Sequence, residues 1–128
     1  KRNKLGRTYS NDSFIIIEHE PGSCYGADVV YLSYETLPAD QPSPKGAITP
    51  PVDLVVEVRS PSDTMKQMKS KATDYIEVGV KVVLIVEPNR QTVDIYRLNQ
   101  PVIHLQSGDL TLPDVLPGFT MPVSEFFE

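Results

Sequence analysis

The chain is 128 residues long, 40% hydrophobic and 23% charged, with a net charge of −5, which suits one ordinary domain over residues 1–128 with a single core. Its apolar runs, such as Phe14 to Ile17 and Val82 to Val86, fall far short of the ~20 residues a membrane helix needs, and no signal-like segment opens it, so it reads as soluble and cytoplasmic, with no membrane partner. The acidity argues against a broad basic surface that wraps nucleic acid, while one cysteine (Cys24) and two histidines (His19, His104) leave neither an internal disulfide nor a zinc cluster.

Charge is uneven along the chain. Residues 1–8 hold Lys1, Arg2, Lys4 and Arg7 with no acid, and residues 59–90 hold six basic side chains against Asp63, Asp74, Glu77 and Glu87. Such patches can contact phosphate, although a solvated helix face gives the same pattern. The opening lysine, and a first dozen residues without helical or strand periodicity, read as the start of a piece of a longer protein.

Strands are predicted at Ser13 to Glu18 and Ala27 to Ser33, both rich in β-branched and aromatic residues, with "HEPGSCYG" turning between them. Pro38 to Pro51 carries five of the twelve prolines and must be an extended loop. Its length makes it a rim or lid where substrate contacts are expected. A third strand runs from Asp53 to Arg59, and a helix then starts near "SPSD", with Pro61 in its first turn and Ser60 or Ser62 as its cap. Met65, Met68, Ala72, Tyr75 and Ile76 give that helix one buried face, and Gly79 ends it. Lys81 to Glu87 is an almost unbroken apolar run, as in a strand covered on both faces. "QTVDIYRL" and "PVIHLQS" form a hairpin about Asn99-Gln100, and the tail closes in a helical turn that docks Phe126 and Phe127 on the core.

This order implies an α+β fold, a mixed sheet with its main helix on one face and a C-terminal hairpin. Alternation along the third strand puts Leu54, Val56 and Val58 on one side and Asp53, Val55, Glu57 and Arg59 on the other. If the helix covers the acid side, Glu57 is partly buried, and an isolated carboxylate there costs several kcal/mol unless it is paired or metal-bound. Lys71 lies nine residues into the helix, roughly 13 Å along its axis, so an antiparallel helix lays it over Val55 to Glu57. Lys66 and Lys69 then face water. An ion pair with Glu57 or Asp74 that serves structure alone fits the same spacing.

The segments "GADVVYLSYETLP", "VDLVVEVRSPSD", Lys71 with Tyr75 four residues on, "GVKVVLIVEP", "VDIYR" and "TLPDVLPGFTMPVSEFF" resemble, in order and over essentially the whole chain, the Uma-type family of restriction endonucleases in the PD-(D/E)XK nuclease superfamily. The resemblance implies a restriction-endonuclease-like fold and a Mg²⁺-dependent site, with Mn²⁺ as substitute, acting on DNA. By position it carries the two metal-binding acids onto Asp28 and Glu57 and the catalytic lysine onto Lys71. On this reading the backbone carbonyl of Val58 is expected to serve as a further metal ligand, Asp53 matches a further acid of the family, and Asp53 and Arg59 are expected to be auxiliary. Two carboxylates suit Mg²⁺, which keeps several waters, and lysine can orient or deprotonate a water or stabilise the crowded phosphate.

Departures from the family pattern are Ala27 where proline is usual, Arg59 where an apolar residue is usual, Leu84 for an aromatic and Glu87 for aspartate. Arg59 is a poor proton shuttle but can clamp phosphate oxygens. The family's further N-terminal segment has no counterpart before Ser13, and apolar surface left by a missing helix favours a homodimer. Two function classes result, a metal-dependent DNA endonuclease and a catalytically inactive nuclease-fold module for self-association or protein interaction. An enzyme working through His19 or His104 stands a distant third.

Overall fold

The protein is described by a computed structural model over residues 6–16, 24–43 and 46–127, without the side chains of 10–14, 16 and 24. His19, Glu18, Lys1, Arg2 and Lys4 lie outside the described residues.

Strands β1 (Gly6–Ile16), β2 (Cys24–Ser33) and β3 (Val52–Val58) are followed by helix α1 (Met65–Val78), then β4 (Val80–Glu87), β5 (Thr92–Arg97) and β6 (Ile103–Leu105). These six strands form one sheet in chain order. All neighbours are antiparallel except β3 and β4, which run parallel because α1 carries the chain back between them. A separate hairpin, β7 (Asp109–Leu112) and β8 (Leu116–Pro122), precedes a 3₁₀ turn at Val123–Phe127.

The sheet is covered on both faces, and the alternation of β3 assigns its residues as expected. On the helix side, Val55 packs with Val83, Ile85, Met68, Ala72 and Tyr75. On the other side, Leu54, Val82, Leu84 and Ile95 pack with Leu110, Leu112 and Val123, and Phe126 and Phe127 dock there. β4 is accordingly buried along nearly its whole length.

Three expectations are corrected. β1 begins at Gly6, inside the stretch that has no strand periodicity. An edge strand takes its order from its neighbour: Gly6 pairs with Ser33 and lies so close to β2 that a Cβ there would come within 2.3 Å of the Leu32 carbonyl oxygen. The helix starts at Met65, not near Ser60. Thr64 and Gln67 form a reciprocal capping box, whereas Ser60 donates to Asp63 from its backbone N–H (3.2 Å) and its hydroxyl (2.9 Å), closing a turn of its own. Those bonds from Ser60 hold the Asp63 carboxyl below its usual range. The β7–β8 hairpin is the third. No strand is predicted after "PVIHLQS", because these strands are short and flanked or interrupted by Pro113, Pro117 and Pro122, yet Leu110 and Leu112 alternate into the core. Gly79 ends α1 as predicted, in the left-handed conformation at φ 118°.

Candidate active site

Only Val29 to Tyr31 of β2 pair with β3. The preceding residues leave β3 and fold across α1. The Tyr25 ring meets Tyr75 edge-on (centroids 5.5 Å apart, 81°), and the Tyr25 hydroxyl donates to Asp74 at 2.5 Å. The departure happens at Asp28. There β1 carries one extra residue, Asn11 and Asp12 lying between the pairs Ser10–Val29 and Ser13–Ala27, and a bulge of this kind bends a strand and re-aims its side chains. The Asp28 carboxylate consequently replaces the lost ladder bond, accepting from the Val58 N–H at 2.7 Å.

Glu57 is one residue before Val58, on the helix side, and 4% exposed. Two donors reach its Oε2: the Tyr75 hydroxyl at 2.7 Å and the Lys71 ammonium at 3.2 Å. Oε1 accepts from neither. Lys71 also donates to the Gly26 carbonyl oxygen at 3.2 Å and lies 5.3 Å from the centre of the Tyr25 ring. Burial pushes the Glu57 carboxyl above its usual value, the bonds from Tyr75 and Lys71 pull it down, and the charge of Asp28 pushes it up again. Burial and the Glu57 charge also push the Tyr75 phenol well above its ordinary value, so it remains a donor.

Asp28, Glu57 and Lys71 thus come together, and the reach of Lys71 inferred from helix rise agrees with the geometry. Lys66 and Lys69 face water. Val58 shares the site through its backbone. An extended residue sends its N–H and C=O to the same strand edge, which for Val58 is the edge facing Asp28. Asp53 and Arg59 are held elsewhere. Asp53 is four residues from Glu57, about 13 Å along a strand, where it accepts from Ser33 N–H (2.6 Å) and the Thr36 hydroxyl (3.1 Å) and pairs with Lys81 (3.4 Å). Arg59 pairs with Glu87 on β4 at 3.1 Å, and its Nε is buried without a partner.

The Pro38 to Pro51 loop is strapped to the edge strand. The Arg7 guanidinium donates to the carbonyls of Pro38 (3.1 Å), Ala39 (3.0 Å) and Gln41 and to the Ser43 hydroxyl (3.1 Å), and Ile48 is buried and bridges Ile15. This takes Arg7 out of the basic N-terminal patch. His104 lies across the sheet, with Nδ1 against Asp94 on β5. A cleft of about 480 Å³, lined among others by Ile95, Arg97, Ile103, Leu105 and Asp114, opens on the sheet face opposite Glu57.

Among the described residues, no three His, Cys, Asp or Glu side chains converge as a metal cluster. The donor set still fits a hard cation of the Mg²⁺ class, which needs one or two carboxylates and keeps its waters. Asp28 lies near enough to Glu57 for its charge to push the Glu57 carboxyl up, and Glu57 holds both its donors on one oxygen. Tyr75 and Tyr25 are the participants that sequence reasoning missed as site residues. The available signal was a tyrosine at a buried helix position one turn after Lys71, since a buried phenol seeks a hydrogen-bond partner.

A family model described as "Putative restriction endonuclease", Uma2, matches residues 1–124. The fold is similar to the crystal structure of "a putative nuclease belonging to DUF820" from Anabaena variabilis, with a TM-score of 0.80 at 14% identity over 97% of this chain and 69% of that one. No curated protein matches the chain.

Proposed function

Because the chain belongs to the Uma2 family, described as "Putative restriction endonuclease", we propose that it hydrolyses DNA phosphodiester bonds with Mg²⁺, or Mn²⁺ in its place, held by Asp28, Glu57 and the Val58 carbonyl. The observation that carries this reading is a carboxylate, Glu57, buried to 4% exposure with an ammonium 3.2 Å away and a second carboxylate on the adjoining strand. A structural pair alone gains little from such burial, because desolvation offsets the attraction.

When bound, the cation neutralises charge developing on the scissile phosphate and acidifies a water. Glu57 must be ionised to hold it, and the bonds from Lys71 and Tyr75 oppose the burial that favours the neutral acid. Lys71 keeps 27% of its side chain exposed, so its ammonium can donate to a phosphate oxygen or to a water as well as to Glu57. Asp28 keeps its orientation through the Val58 N–H. Arg59 lies two residues beyond Glu57, and the part of its guanidinium that Glu87 does not engage suits a flanking phosphate. Asp53 has no part in this mechanism, since its bonds fasten the far end of β2.

We read residues 1–128 as one nuclease-like domain of a cytoplasmic enzyme that pairs with a second copy. Exposed Leu98, Val102 and Ile103 beside the edge strand β6 favour the pairing, and sedimentation equilibrium measures it. The test of the site is calorimetric titration of Mn²⁺ into the chain and into Glu57→Ala, with plasmid cleavage measured on both. Binding and cleavage present in the parent and lost in the variant support the reading; a Glu57→Ala protein that cleaves at the parent rate sinks it.

A further inference from the structure

We infer that Tyr75 is a positioning residue, whose hydroxyl fixes which oxygen of Glu57 is left to face the cation; the inference rests on the reading of Glu57 as a metal ligand. Tyr75 is fully buried, at a helix position where leucine or phenylalanine would fill the same space without a polar atom to satisfy. Its hydroxyl spends its proton on Glu57 Oε2, the oxygen that Lys71 also approaches. The terminal torsion of a glutamate is otherwise broad and roughly two-fold. Two donors on one oxygen remove that freedom and leave Oε1 as the oxygen presented.

Tyr75 is itself held in place. Tyr25 abuts its ring edge-on, and the Tyr25 hydroxyl is bonded to Asp74, the preceding residue of the same helix. Neither phenol can swing without breaking the packing of β2 on α1. A ligand-orienting group whose own orientation is fixed by packing is what a preorganised site requires.

Mn²⁺ titration at a temperature well below unfolding tests the role, comparing the parent chain with Tyr75→Phe and with Tyr96→Phe. Tyr96 is a second tyrosine packed on the same core, beside Asp94 rather than Glu57. Tyr75→Phe keeps the ring and removes only the hydroxyl, and is expected to weaken Mn²⁺ binding by about 10- to 100-fold, with Tyr96→Phe within about twofold of the parent. A Tyr75→Phe protein that melts lower but binds Mn²⁺ as the parent does shows a purely structural hydroxyl and overturns the inference. Absence of binding in the parent strikes the metal-ligand reading itself.

A measurement on the parent chain stands even if Tyr75→Phe does not fold. With ¹³Cζ-labelled tyrosine, the Tyr75 resonance, identified by its contact with the Tyr25 ring, is expected to move on Mg²⁺ saturation while that of Tyr96 stays fixed. A Tyr75 resonance unmoved at saturation overturns the role.

Discussion

The two ends of β3 each bury a carboxylate on the same face, Asp53 at 2% and Glu57 at 4% exposure, yet they are satisfied in different ways. Asp53 accepts from the backbone of Ser33 and the hydroxyl of Thr36, residues at the end of β2 and the turn after it, and its cation, Lys81, is more than half exposed. Those bonds knit consecutive pieces of chain. Among the described residues, none donates to Glu57 from the backbone. Its donors are two side chains on α1, one apolar in body and fully buried, the other an ammonium with an open side. On the proposed reading, burial alone does not distinguish the structural acid from the metal ligand; the identity and exposure of its donors do.

The largest effect expected from disturbing this contrast is at Lys71. Lys71→Met should lower cleavage by about 10²- to 10⁴-fold, the usual span for loss of a proton-handling or charge-stabilising group, with Mn²⁺ binding retained at pH 8, as quenched-flow kinetics beside calorimetry will show. Asp53→Ala should do the reverse. Losing charged bonds to Ser33 and Thr36 costs about 3 kcal/mol of stability, read from urea unfolding, with the Mn²⁺ dissociation constant unchanged.

A smaller effect concerns pH. The Glu57 carboxyl is raised by burial, so its contribution to stability is fully present below the unfolded value near 4.5 and is lost as pH rises through the folded value. The metal-free protein should therefore lose melting temperature over that rise, and Glu57→Gln should flatten the slope. The smallest effect belongs to Asp114, which bonds from Arg97 hold below its usual range. Its contribution is present above the unfolded value near 3.8 and fades as pH falls through the lowered one. Because its side chain is 44% exposed, Asp114→Asn should cost under about 1 kcal/mol at pH 7 and progressively less as pH falls through the lowered value.

What was legible in the sequence was whatever follows from fixed lengths. The two-residue period of β3 and the 1.5 Å rise of α1 suffice to bring Lys71 to Glu57, and Gly79 marks a helix end by a conformation other residues avoid. Asp28 entered through family resemblance. Its setting, a bulge in β1 that turns its carboxylate onto the Val58 N–H, depends on strand register, which pattern does not encode. β1 was underestimated because Arg7 and Tyr9 hold it in place through the loop at 38–43 rather than through apolar alternation. The bond from Tyr75 to Glu57 joins two residues that pattern had assigned separately, one to packing and one to chemistry.

On the proposed reading, the placement of Lys71 on α1 rather than on β3 makes cleavage depend on tertiary order. A lysine on the strand would keep its distance from Glu57 for as long as the strand existed. Here the distance exists only while the helix is seated, which fully buried Ala72 permits by offering only a methyl group between the helix and the sheet. A chain that keeps its secondary structure but loses fixed packing, as in an acid-expanded state, should retain its far-ultraviolet circular dichroism and lose all cleavage. On the same reading, a bulky residue at position 72 should abolish cleavage with Asp28, Glu57 and Lys71 all still present.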